Sequence, residues 1–257
     1  MRIALETLAV AGLLALLAGS VSLAAEELSP AAQEALEHFA DPKTPDSGFN
    51  TRVTYRDTLI QQGPVVVPAL TNLLMNSKVF AVRLNAIIGI VMITEKDPAA
   101  AKPVLEHMPA LLAAPEAPIR AWAVKLAGAS KDTASVPKLL ERLSGDTDPV
   151  MQEELVLALG KIGDEQALRP LQELLQRDGD GNLRACAADA LKALNKPEAV
   201  STLLKCLKDP DPRVQGACAE ALTTITGCFI SFRPDDTTAQ VDQKIALWQK
   251  CWDAKQK

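Results

Sequence analysis

The side chains of this 257-residue chain that could do chemistry are two histidines, five cysteines and a short run of aspartates near residue 180. His38 and His107 lie far apart, and no CxxC, HExxH or CxxCH spacing occurs, so the usual zinc and haem ligand sets are absent. Gly179-Asp180-Gly181 has the glycines of a phosphate loop but lacks the strand before it and the lysine that would reach a phosphate. Asp178 and Asp180 are acidic enough for a calcium loop, but the glycine and the closing glutamate of such a loop are missing; helix capping accounts for them. His107, close to Pro109, has no Ser, Cys or Asp partner in view. Catalysis needs convergent groups in perturbed environments. None is visible, so the expectation is no enzyme, no cofactor and no metal.

The cysteines are Cys186, Cys206, Cys218, Cys228 and Cys251, and an odd number cannot pair completely within one exported molecule. Cys186 and Cys218 fall on Ala-rich helix faces, where Cys behaves as a small apolar residue. Cys228 and Cys251 flank the C-terminal segment and form the candidate disulfide of an oxidising compartment. Free buried thiols are the alternative.

These residues must be positioned by helices. The hydrophobic fraction is 48% with only 4% aromatics, so the apolar content is mostly Ala, Leu, Val and Ile, which favours helix over sheet. A net charge of -5 and basic residues spread along the chain leave no stripe to neutralise phosphates, so nucleic acid is not expected as a partner.

A block recurs every 31 or 32 residues: Asp148-Pro-Val-Met-Gln-Glu-Glu-Leu-Val-Leu-Ala-Leu159, then Asp180 to Leu191, then Asp211 to Leu222. A period in this range marks a solenoid, whose units bury their apolar faces against their neighbours. Each unit reads as two antiparallel helices. Asp148-Pro149 and Asp211-Pro212 are strong starts for the second helix, with Asp as cap and Pro at the first helical position. Apolar residues follow at helical spacing, Leu183, Ala187, Leu191 and Leu194 in one copy. The first helices carry the companion stripes Pro137–Leu143, Pro170–Leu175 and Ser201–Leu207, and Pro68, Pro109, Pro137 and Pro170 are expected to bend them.

The residues from Asp148 to Pro170 closely resemble the HEAT family, whose pattern runs Asp-Pro-x-Val-Arg-x-x-Ala-Ala-x-Ala-Leu-Gly-x-Ile-Gly-Asp, and in particular the short HEAT-like repeats of phycobilisome lyases. Weaker copies centre on Arg120, Arg83 and Arg52. The resemblance implies an all-α fold, an α-α superhelix, as a right-handed solenoid of about five to six helical hairpins. It also implies an Asp–Arg ladder between units; only Asp178 and Arg184 match both ends, since Gln152 and Gln215 stand opposite Asp146 and Asp209. The copy between Arg83 and Arg120 is 37 residues long, with its excess around residues 95–102. The ending from Thr226 to Trp252 is similar to that of exported bacterial HEAT-repeat proteins. Trp248 and Trp252, four apart on one helical face, are expected to cap the last repeat.

The expected organisation is a signal peptide over 1–24, an N-terminal segment or cap over 25–50, the repeat array over 51–227 and a capping segment over 228–257. Arg2, the apolar stretch Leu8 to Leu17 and Ser22-Leu23-Ala24 form the leader pattern. They imply a periplasmic or secreted protein, with a membrane tether as the alternative if the leader stays uncleaved. Second-helix positions facing away from the core, Trp122, Lys125, Glu153, Asp189, Lys192 and Glu220, form the candidate partner-binding face. The expected function is a non-enzymatic exported scaffold or assembly factor with a protein partner of unknown identity. The alternatives are a bilin lyase or chaperone-lyase, implied by the repeat family, and a membrane-tethered adaptor.

Overall fold

The computed structural model describes residues 28–46, 51–177, 179–233 and 235–256; the leader and Asp178 lie outside the described residues. Among those residues there are 14 α-helices and no strand. The chain divides into two compact units, residues 1–130 and 131–257.

In the second unit the hairpins are α8 (Val136–Gly145) with α9 (Pro149–Ile162), α10 (Leu168–Leu175) with α11 (Gly181–Leu194), and α12 (Val200–Cys206) with α13 (Pro212–Thr226). α11 lies between α9 and α13 and packs on both. Each second helix begins on an aspartate. Asp148, Asp180 and Asp211 accept from the backbone N–H of Val150, Asn182 and Arg213 at 3.1, 2.8 and 2.9 Å, filling donors that the helix itself leaves unpaired. Each ends on a left-handed residue, Gly163, Asn195 or Gly227, and Lys131 holds the same conformation one period earlier. Between those ends Leu155, Leu159, Leu191, Val214 and Leu222 are fully buried, as are Leu139, Leu171 and Leu203 from the first helices. Burying each side chain of this kind contributes about 1.5–3 kcal/mol.

The first unit holds α1 (Pro30–Ala40) packed on α2 (Arg52–Ile60), α3 (Val67–Asn76) packed on α4 (Phe80–Thr94), and α7 (Ala117–Ser130). The first helix that should accompany α7 is broken into α5 (Lys102–Leu105) and α6 (Met108–Leu112), after a 3-10 turn at Pro98–Ala101. The surplus of the 37-residue copy lies in that turn and break.

The prolines correct one expectation. Short 3-10 segments precede α3, α8 and α10, and Pro68, Pro109 and Pro137 sit in the first turns of α3, α6 and α8. Pro170 is the third residue of α10. They therefore start the helices instead of bending them, because a proline in the first turn removes an N–H that has no intrahelical acceptor.

α14 (Thr238–Lys255) closes the second unit. It opens with a capping box between Thr237 and Gln240. Trp248 is fully buried, packs at a tilt against Phe232 and donates its indole N–H to the Cys228 carbonyl at 3.2 Å. Trp252 is only half-buried. Lys255 donates to the carbonyls of Thr226 and Gly227 at 2.8 and 3.0 Å, completing the C-terminal end of α13. Cys228 and Cys251 are joined in a disulfide with Cα atoms 6.3 Å apart.

Close packing of the second helices depends on Gly160, where an added Cβ would lie 2.8 Å from the Ala190 Cα. The obstacle is backbone, so it cannot swing aside. Gly160→Ala is expected to cost about 1–3 kcal/mol in urea unfolding. Gly216→Ala, also inside a second helix but with nothing within 4 Å, is expected to be neutral or stabilising by up to about 1 kcal/mol.

Candidate functional site

The positions singled out in the sequence belong to two sets: side chains that join successive hairpins, and side chains that point away from them. In the joining set the key position is the fourth residue of each second helix from α4 onward, namely Arg83, Arg120, Gln152, Arg184 and Gln215. Most of them reach back to the loop just passed. Arg120 donates to the carbonyls of Ala114 and Pro115 at 2.8 and 2.9 Å, Gln152 to that of Asp146 at 2.6 Å, and Gln215 to that of Asp209 at 2.7 Å. Arg184 donates to the Gly179 carbonyl at 2.8 Å and also extends forward, giving Nε and Nη2 to the two oxygens of Asp209 in the next repeat, both at 2.8 Å. Both partners of that pair are about nine-tenths buried. The inter-repeat acid that the structure describes for Arg184 is therefore Asp209.

Arg83 makes the matching forward contact, an ion pair with Glu116. Glu116 was missed in the sequence, although a signal existed: it stands four residues before Arg120, as Asp148, Asp180 and Asp211 stand before Gln152, Arg184 and Gln215. Arg52 differs from the other copies. It is the first residue of α2 and, almost wholly buried, pairs with Asp46 at 3.0 Å and donates to the carbonyls of Phe39, Asp41 and Thr44.

The outward set is split between the two units. In the first, the Lys125 ammonium stands 5.0 Å from the centre of the Trp122 ring on α7, a cation–π contact. In the second, Lys192 on α11 bridges Asp189 on its own helix at 2.7 Å and Glu220 on α13 at 3.1 Å. The Asp189 hydrogen bond is the main cause that holds the Lys192 ammonium above its ordinary pKa, with Glu220 adding to it against a smaller opposing effect of burial. Glu153 on α9 is half-buried and makes no contact with this triad that the structure records, but its charge is felt at Cys186.

Cys186 was read as core and is instead half-exposed on this outer line. Partial burial, then the carboxylates of Glu153, Asp189 and Asp180, push its thiol above the usual range. It stays protonated at neutral pH and is a poor nucleophile. Beside these groups α9 exposes Val150 and Leu157. Elsewhere, His38 stacks on Tyr55 with ring centres 5.0 Å apart, and His107 lies 3.5 Å from Glu106. No group of three or more His, Cys, Asp or Glu could hold a metal ion among the described residues.

Hairpins joined at one repeated position, capped by Asp and closed by a left-handed residue, agree with the family comparison. A model of HEAT repeats matches residues 106–192 and 172–239, together more than half of the chain. The chain belongs to the HEAT-repeat family. Among curated proteins it is 32% identical over 109 residues to the bilin biosynthesis protein PecE of Mastigocladus laminosus, and 31% identical over 109 residues to the protein of the same name from Nostoc sp. (strain PCC 7120). Each match covers 42% of this HEAT-repeat chain and 40% or 43% of the relative, so the chain spans about two-fifths of the length of the curated relatives it matches.

Among solved structures, an engineered protein superposes with a TM-score of 0.51 at 20% identity, over 82% of this chain and 98% of its own, which shows the fold alone. The complex of CpcE and CpcF of phycocyanin lyase from Nostoc sp. PCC7120 gives a TM-score of 0.43 at 18% identity, over 88% and 84%. The expectation that the chain is not an enzyme is overturned by the curated relatives, which are named for bilin biosynthesis. The physical reason is that a repeat surface can accelerate a reaction by holding reactants together without any local nucleophile motif. Among the described residues, no helix is long and apolar enough to cross a membrane.

Two joints can be tested. Asp209→Asn removes the anionic half of the nine-tenths buried Arg184–Asp209 pair and is expected to lower stability by about 3 kcal/mol in chemical unfolding. The Arg83 hydrogen bond holds the Glu116 carboxyl below its ordinary value. A depressed folded-state pKa contributes stability above the unfolded value near 4.3, and that contribution is lost as pH falls through the folded value. Glu116→Gln is expected to melt below the parent at pH 7, with the difference shrinking as the pH approaches about 3.

Proposed function

We propose that this HEAT-repeat protein is bilin-lyase-like: it binds a protein partner on the second-helix face and helps to bring a linear tetrapyrrole and its acceptor together. The single observation that carries this reading is the likeness to two bilin biosynthesis proteins over 109 residues. The repeat architecture supports it, because stacked hairpins present an extended surface to a protein partner.

The outer line of the second unit suits a cationic segment. Glu153, Asp189 and Glu220 outnumber Lys192, and Lys192 is already engaged by two of them. Val150 and Leu157 add apolar contact beside the charges. The raised thiol of Cys186 argues against a pigment carried covalently there, and the other free thiols, Cys206 and Cys218, are buried. The nucleophilic sulfur then belongs to the acceptor, and the contribution of the repeat protein is orientation.

Export is part of the proposal. The leader pattern of residues 1–24 supports it, and so does the Cys228–Cys251 disulfide, since such bonds persist in oxidising compartments. Pigment and partner would then be met outside the cytoplasm. A mature chain beginning at Ala25 or Glu26 is expected in that fraction; an intact leader in the membrane fraction would replace it with a tethered form.

The function is tested by mixing the purified chain with a linear tetrapyrrole, with and without an acceptor polypeptide that carries a free cysteine. The expected result is a shift of the pigment's visible band on binding and covalent pigment on the acceptor alone, unchanged in Cys186→Ser. Glu153→Lys with Glu220→Lys is expected to weaken acceptor capture while leaving the fold intact. Neither a band shift nor transfer would remove the bilin reading.

A further inference from the structure

The two forward ion pairs differ in how completely they close. Arg184 gives Nε and Nη2 to both oxygens of Asp209, and the fork is saturated. Arg83 gives only Nη2 to Oε1 of Glu116. Its Nε and the Glu116 Oε2 are buried and have no hydrogen-bond partner. Buried polar groups in folded proteins are nearly always paired, so two leftover atoms on one ion pair call for an explanation.

Both residues line a cleft of about 150 Å³, with Leu74, Met75, Leu111 and Ile119 among its apolar walls. Leu111 comes from α6, the second piece of the helix interrupted by the long repeat. The irregular stretch and the incomplete ion pair thus meet at one place.

We propose that this cleft binds a small group presenting N–H and C=O on one edge, a primary carboxamide or a lactam. The leftover Arg83 Nε–H needs an acceptor, and the leftover Glu116 Oε2 needs a donor. The ion pair is already balanced, so a neutral group adds no buried charge. A carboxylate would place a second anion beside Glu116. The volume fits one small head group. Two sources share this chemistry: a glutamine or asparagine side chain of a docked protein, and a free lactam. The proposal stands apart from the bilin reading, and neither failure implies the other.

The test follows the Arg83 Nε–H resonance of the full chain during titration with propionamide, 2-pyrrolidone and N-methylpropionamide. The last is a control, because its trans amide points N–H and C=O in opposite directions. Saturable shifts in the millimolar range are expected for the first two, with the control at least about tenfold weaker, a difference of about 1.4 kcal/mol. Tighter propionamide binding assigns the site to a side chain; tighter 2-pyrrolidone binding assigns it to a small molecule. Glu116→Gln, which removes the acceptor and keeps the shape, should abolish the shifts. No saturable shift, equal response to the control, or a shift that survives Glu116→Gln overturns the proposal. So does a crystal soaked in propionamide that shows ordered water alone at the two atoms.

Discussion

Each hairpin in this protein must change direction twice, and every change of direction exposes carbonyls that no helix can satisfy. The donor placed at the fourth position of the second helix removes that cost. From there a side chain lies over the preceding turn of chain, within reach of the loop just traversed. Gln152 and Gln215 show that a neutral amide is sufficient for this task, since each closes on the carbonyl of the acid six residues before it. Arg184 shows what the guanidinium adds: one nitrogen satisfies the loop and two more clamp the next repeat. The difference between closing a loop and joining two repeats is the difference between two donors and five.

That distinction orders the rest of the second unit. Once Asp209 is held by Arg184, Asp211 is in position to cap α13, and Gly181 leaves room for the Asp211 carboxylate, which a Cβ there would force to shift. Arg213 hydrogen-bonds Asp211, holding that carboxyl below its usual value, and also reaches back to Asn182 in the repeat before. Caps, glycine and joint are one arrangement seen at three positions. At the open end, α14 substitutes for a further repeat, with Trp248 as core and Lys255 as the donor to the last carbonyls.

What was legible in the sequence follows from this locality. The second-helix starts could be read because Asp and Pro act within a few residues of themselves. The left-handed helix ends at Gly163 and Gly227 are equally local features. The inter-repeat acid described for Arg184 was harder to find, since Asp209 is 25 residues away in sequence. The prolines were misjudged because a 3-10 turn ahead of a helix has no strong residue signature, and it moved Pro68 and Pro137 from helix interiors to helix starts, while Pro109 opens α6 after the break behind α5. Cys186 was taken for core on the strength of its Ala-rich setting, yet it lies one position off the buried stripe marked by Ala187 and Leu191. The absence of a nucleophile motif said little about activity, because a surface that orients partners leaves no local motif.

The outer face, the proposed docking surface, follows the same economy. A lone lysine among three carboxylates would ordinarily invite an anionic ligand. Lys192, however, spends its hydrogen bonds on Asp189 and Glu220, and those bonds are what raise its pKa. An anion arriving there must displace a carboxylate that is already in place, so it gains little. A cation meets Glu153 and the outer oxygens of the same carboxylates without breaking anything. The bridge also ties α11 to α13, so the charge that could attract an anion serves to hold two repeats together. In the proposed docking of a basic segment, selectivity would therefore come from the commitment of Lys192 as much as from the number of acids.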